Sequence, residues 1–317
     1  MSGINWKELR PEGDVNAGWS VISDDACKNI LAVGGVSTTA MYVSHDGGNS
    51  WSALAYSLIL GTYSGNGKYA YGTKSVGNYY HLYRSDDYGD TFVEISFAES
   101  QPQFIYQIAI SYDGSVVIIG TGESTSGLDK KLMYVSTDYG ITFSRKYPGD
   151  GVKPQKYCQY LCASSSGRHI YCALSDDGYT SIGCRVFASH DYGNSWSFYI
   201  RYGLVQSIGQ MACSSDGSVV FCDLHDGFRS RILVSTDYGS TFVIRTDGSG
   251  GTAGFNGSFT SMSCSSSGLV LIISAANNDI GNSGLLYSTT RAQKCYQTNP
   301  TGHTVETWQK ARVSKSG

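Results

Sequence analysis

The chain has 317 residues and a net charge of −3, and only 15% of its residues are charged, so it offers no basic footprint for nucleic acid and no polybasic stretch for an anionic membrane surface. Glycine is abundant (39), proline scarce (5) and tyrosine frequent (24), a composition of tight turns and aromatic strands rather than of helices or disorder. No apolar run is long enough for a membrane-spanning helix.

The first element is Asn5-Trp6-Lys7-Glu8-Leu9, a short strand pattern with no apolar leader before it. The expectation from this is no secretory signal and a cytoplasmic protein. From Trp19 onward the chain repeats itself. An apolar strand ending in an Asp-Gly or Ser-Gly turn recurs as Ile108–Gly114, Leu161–Gly167, Met211–Gly217 and Met262–Gly268, with looser versions at Trp19–Asp25 and Ser57–Gly67. A second apolar strand follows each turn, as in Val116-Val117-Ile118-Ile119 and Val219-Val220-Phe221-Cys222. After a variable loop comes a third strand, and then an eight-residue box reading Ser-x-Asp-x-Gly-x-(Ser/Thr)-(Trp/Phe). The box occurs at Ser44–Trp51, Ser85–Phe92, Ser136–Phe143, Ser189–Trp196 and Ser235–Phe242. A decayed sixth copy starts at Ser288, with Thr290 for the Asp and Ala292 for the Gly. A fourth strand opens at the box aromatic.

Four antiparallel strands at a period of about 40–50 residues define a propeller blade. The sequence therefore predicts an all-β chain forming a single six-bladed β-propeller over residues 1–290, followed by a C-terminal tail over 291–317. The last blade lacks an obvious fourth strand after its box. Residues 4–10 are expected to supply it and close the ring, hiding a sheet edge, with Glu306-Thr307-Trp308-Gln309-Lys310 as the competing segment. The box chemistry is local. Its Asp and Ser/Thr side chains hydrogen-bond backbone a few residues away, its Gly takes a positive φ, and its aromatic ring packs on the neighbouring sheet.

The five boxes resemble the Asp-box, or BNR repeat, of sialidase-like β-propellers. The resemblance implies that Asp46, Asp87, Asp138, Asp191 and Asp237 are structural and lie on the face away from any ligand. It also implies, for a sialidase, an Arg-Ile-Pro motif before the first box and an arginine grip on a sugar carboxylate. Neither is visible, since Thr38–Val43 before the first box has no arginine. The Val-Ser-Thr-Asp-Tyr-Gly phrasing is also similar to Asp-box propellers of large DNA viruses and phage particles, which implies a virion-associated host-recognition setting.

Chemistry is then expected on the opposite face, in loops that do not repeat. The sharpest group is Asp223, His225, Asp226 and Arg229, able to serve acid–base or anion-binding chemistry. Glu123 and Asp176 are the other acid candidates, and Tyr80 and Tyr179 join His225 and Arg229 as ligand-binding candidates. The leading expectation is a non-catalytic module binding protein or glycan. The alternative is a sialidase-like glycoside hydrolase or lyase using Glu123, Asp176, Asp223 or Asp226. No cofactor and no metal site are expected, because the nine cysteines show no Cys-x-x-Cys pair and most sit in apolar runs, as buried thiols do.

Overall fold

A computed structural model describes residues 19–34, 40–97, 104–122, 133–148, 157–175, 185–201, 207–225, 229–245, 255–256, 258–276, 284–292 and 296–298, with Pro11 and Pro102 as isolated positions. These residues form strands and turns, without a helix. The strands fall into consecutive antiparallel meanders. The first holds β1 (Trp19–Ser23), β2 (Ile30–Gly34), β3 (Ala40–Ser44) and β4 (Ser52–Leu54). The second holds β5 (Ile59–Tyr63), β6 (Ala70–Val76), β7 (Tyr79–Ser85) and β8 (Val93–Ile95). The third holds β9 (Phe104–Ile110), β10 (Val117–Gly122), β11 (Met133–Ser136) and β12 (Ser144–Lys146). The fourth holds β13 (Tyr157–Ala163), β14 (Ile170–Ser175), β15 (Arg185–Ser189) and β16 (Ser197–Arg201). The fifth holds β17 (Ser207–Cys213), β18 (Val220–His225), β19 (Arg229–Ser235) and β20 (Val243–Arg245), with β21 (Phe255–Asn256) added against β19. The last holds β22 (Ser258–Cys264), β23 (Leu271–Ala276), β24 (Gly284–Ser288) and β25 (Tyr296–Thr298). Within each meander the strands pair in chain order, and one pair, Gly122 with Tyr157, bridges the third and fourth.

β25 corrects one expectation. The fourth position of the last meander, assigned above to residues 4–10, is held by Tyr296–Thr298, which pairs with Leu285–Tyr287. A hairpin closed across a short connection costs less loop entropy than one spanning the whole chain. Residues 4–10 and 306–310 lie outside the described residues.

Five apolar clusters fill the seams between successive meanders, and in four of them a box aromatic is the wedge. Phe92 packs with Ile22, Leu31 and Met41 of the preceding meander. Phe143 joins Tyr71 and Leu82, Trp196 joins Ile118 and Val135, and Phe242 joins Tyr171 and Ala188. The seven described cysteines are free thiols, six of them buried, packing as small hydrophobes.

Each box closes on itself. In the copy at Ser235, the serine Oγ donates to Asp237 Oδ1 (2.7 Å) and accepts from the Gly239 amide (2.8 Å). The Asp237 carboxylate accepts from the Thr241 amide and hydroxyl at 2.9 and 2.6 Å. The same bonds recur around Asp46, Asp87, Asp138 and Asp191. In the decayed copy Ser288 still accepts from the Ala292 amide, at 3.0 Å, so the serine outlasts the aspartate. Tyr88, Tyr139, Tyr192 and Tyr238 carry left-handed φ values of 59–64° with their rings partly exposed, and Tyr139 and Tyr238 lean on Tyr69 and His169 at 5.2 and 5.1 Å.

The first turn of each meander is a second such device. Ser64, Ser111, Ser164, Ser214 and Ser265 each accept at Oγ from the amide five residues on, at 2.9–3.1 Å. In every meander this turn meets the box: a backbone bond runs from Gly47, Tyr88, Tyr139, Tyr192, Tyr238 or Arg291 to a carbonyl of the first turn. The box and first turn therefore mark one end of the molecule, the box end. The opposite, loop end carries the starts of β9 and β13 and the β6–β7 hairpin. At the box end the first turns are also tied to one another: Asp25 N–H bonds Gly65 O, Asn66 bonds Tyr112, Tyr112 bonds Ser165, Ser165 bonds Ser215 and Ser215 bonds Ser266, at 2.7–3.2 Å.

Candidate ligand-binding site

The inner strands β1, β5, β9, β13, β17 and β22 all line one central cavity of about 450 Å³. Its walls are irregular in a regular way. Four inner strands carry a β-bulge at the same position relative to the first turn: at Tyr106 in β9, Gln159 in β13, Gly209-Gln210 in β17 and Thr260 in β22. In β5 the bulge falls at Gly61. A bulge adds an unpaired residue and re-aims its side chain. Tyr106, Gln159, Gln210 and Thr260 all face the cavity, together with Gln107 and Ser261. The repeated backbone thus presents a tyrosine, two glutamines and a threonine at equivalent positions.

At the loop end a strip of aromatic rings runs beside the cavity and joins its wall at Tyr106. Tyr80 lies 6.1 Å from Phe104, Phe104 stacks on Tyr106 at 5.9 Å, and Tyr106 meets Tyr157 edge-on at 5.8 Å. Tyr106 is 38% exposed. Burial, with Tyr157 and Tyr80 beside it, raises the pKa of its phenol. The Tyr80 amide donates to Pro102 O at 3.0 Å, fixing the β6–β7 hairpin beside the strip. The described lining holds amides, hydroxyls and ring faces, and no lysine, arginine or histidine. Its acids are Asp24 and Asp25, at the box end. Asp24 is occupied holding its own turn through Asn29 Nδ2 (2.7 Å) and the Lys28 amide (2.8 Å).

Of the residues singled out above, Tyr80 joins this site. Glu123, Asp176, Asp226 and Tyr179 lie outside the described residues. Asp223 and His225 are not on a loop, as expected, but on β18, because Val220–His225 pairs fully with Ser230–Ser235. Arg229 opens β19 opposite Asn256. His225 is half-buried. Asp223 is 2% exposed and faces the seam between the fifth and sixth meanders, beside Phe221. Its Oδ1 has no hydrogen-bond partner, and Ser230 Oγ next to it also lacks one of good geometry. Burial raises the Asp223 pKa to about 7, and the Ser230 hydroxyl offsets only part of that. The carboxyl lies over Gly209, where an added Cβ would sit 2.5 Å from Oδ2. Asp223 is absent from the described cavity lining.

The residues that sequence reasoning missed are Phe104, Tyr106, Tyr157 and the three glutamines Gln107, Gln159 and Gln210. Their signal was positional: each stands at or just before the start of a first-strand signature, where the repeats stop agreeing. No group of three or more His, Cys, Asp or Glu among the described residues is arranged to hold a metal ion.

The family described as BNR-Asp box repeat matches residues 82–95, one box with its flanking strands. No curated protein matches the chain. Among solved structures, the GH74 xyloglucanase from Xanthomonas campestris superposes with a TM-score of 0.61 at 14% identity, covering 89% of this chain and 47% of its own. This chain therefore spans about half of that enzyme's length. Hydrazine synthase from Kuenenia stuttgartiensis gives 0.60 at 13%, covering 85% and 76%. YCF48 bound to D1 peptide gives 0.56 at 15%, covering 90% and 86%. The chain thus carries a BNR-Asp box repeat and superposes on propeller-type structures.

Proposed function

We propose that the protein is a six-bladed propeller acting as a non-catalytic binding module, with its ligand seated at the loop end of the central cavity. One observation carries the functional half. Apart from Asp24, whose carboxylate holds its own turn through Asn29 and the Lys28 amide, the described lining has no acid, arginine, lysine or histidine to work with Asp25 in acid–base chemistry. Glycoside hydrolysis needs two carboxyls flanking one bond. Support for the ring comes from inner strands of every meander meeting one cavity, and from wedged seams between successive meanders. The neighbours leave the activity open, since the same fold serves a xyloglucanase and a peptide-bound protein, and fold alone does not fix chemistry. The likeness of the box phrasing to viral and phage propellers supports placing this face on a particle that recognises a host surface.

The test is a substrate panel of polysaccharides and chromogenic glycosides, sialosides included, followed by release of reducing ends or chromophore. No turnover is expected. Turnover abolished by Glu123→Ala or Asp226→Ala would sink the reading.

A further inference from the structure

We infer that the strip Tyr80–Phe104–Tyr106–Tyr157 is a stacking platform for an uncharged glycan, whose hydroxyls are read by Gln107, Gln159 and Gln210. The inference rests on the binding reading above and names its ligand class. Three facts point to a neutral sugar. First, Tyr80, Phe104 and Tyr106 follow one another with centroid steps of 6.1 and 5.9 Å, close to the length of one pyranose residue, so sugars can stack along them, while Tyr157 stands edge-on to Tyr106 and closes that end. Aromatic rings bind well where one face is apolar and the rim is wet. Tyr80, Tyr106 and Tyr157 add phenol hydroxyls to that rim.

Second, the wall below the strip carries primary amides from three adjacent inner strands. A glutamine amide offers two donors and an acceptor, which suits vicinal hydroxyls that both give and take hydrogen bonds. Gln107 Oε1 already accepts from the Leu161 amide at 3.4 Å, which anchors the side chain and leaves its NH₂ to the cavity. Thr260 and Ser261 extend the same neutral polar wall across to the last meander. Third, the described lining contains no cation. A carboxylated or phosphorylated ligand would call for arginine or lysine there. The side chains at the bulges are not uniform: Tyr106, the glutamines Gln159 and Gln210, and Thr260 give the wall an aromatic sector, an amide sector and a hydroxyl sector, as a site for one asymmetric ligand requires.

The experiment is isothermal titration of the full chain with cellohexaose, mannohexaose and laminarihexaose, and with 3′-sialyllactose as the anionic counterpart. Saturable binding of at least one neutral hexasaccharide is expected, weakened about tenfold or more by Tyr106→Ala and by Gln159→Leu. Tyr106→Phe should retain most of it, and unchanged melting curves would show that the variants fold. No neutral binding up to millimolar concentration overturns the inference, as does binding indifferent to Tyr106→Ala and Tyr80→Ala. Tyr106-dependent binding of sialyllactose alone, or of an unglycosylated peptide alone, overturns the ligand class and leaves the binding reading standing. Cleavage of a neutral hexasaccharide bound on the strip does the reverse.

Discussion

Two kinds of aspartate titrate in opposite senses in this molecule. The box aspartates are ionised anchors. Burial works against the Asp191 carboxylate, yet hydrogen bonds from the Ser195 hydroxyl and amide, from Ser189 and from the Asn194 amide bring its pKa down to about 2. At Asp46 the Ser50 hydroxyl is the largest influence, and the carboxyl is held well below the usual range. Groups with folded pKa values below their unfolded ones lend stability above about pH 4 and lose it as pH falls toward 2. Melting temperature should therefore fall steeply between pH 4 and pH 2, and Asp191→Asn should flatten that slope. Asp223 is the reverse case. Its neutral form is favoured inside the seam, so the stability it lends is complete below about pH 4 and is lost as pH rises to about 7. At about 1.4 kcal/mol per pH unit the ceiling is about 4 kcal/mol. Asp223→Asn should melt higher than the wild type at pH 8 and at the same temperature at pH 4; equal melting at pH 8 would show that the carboxyl is solvated. The left-handed tyrosines give another expectation at this scale. Tyr192→Gly, which copies Gly47 in the first box, should be nearly neutral, whereas Tyr192→Val forces a β-branched side chain into a positive φ and should lower the melting temperature by a few degrees.

Among the elements, the box aromatic opens the outermost strand yet is spent on the neighbour's core. Phe92 is 6% exposed and lies in the seam with the first meander. Phe92→Ala should cost about 3–5 kcal/mol through lost burial and the cavity left behind, read from urea unfolding. Gly209→Ala should also destabilise, because its Cβ runs into the Asp223 carboxyl. At this scale much was legible in the sequence. The Ser-x-Asp-x-Gly spacing writes its own turn, and alternating apolar runs such as Leu161–Ala163 and Val219–Cys222 write the inner two strands. The bulges were not legible. A bulge shifts register by one residue without altering composition, and nothing in Ile105-Tyr106-Gln107 distinguishes it from regular strand. For the same reason Asp223 read as a loop acid. The Asp-Gly pair at 226–227 signals a turn, but the strand leading into it buries the residue three places earlier.

For the whole molecule, the repeated and unrepeated parts separate by position. The box end is built from copies, and the cavity rim from residues that differ between copies. The sequence therefore announced the architecture many times over and the candidate site only once, in single residues. That asymmetry explains why sequence reading singled out Tyr80 and passed over Tyr106: Tyr80 stands in a visibly variable connection, whereas Tyr106 stands in the two residues before a strand signature, where no repeat draws the eye. The ties between first turns, from Asp25 through Ser215 to Ser266, have a consequence for descent. They are made wholly of main-chain groups, so no side-chain replacement can delete one of these bonds directly. A frame fastened in this way is indifferent to spelling. Side chains around the strap can be exchanged widely while the main-chain bonds that fasten it stay available.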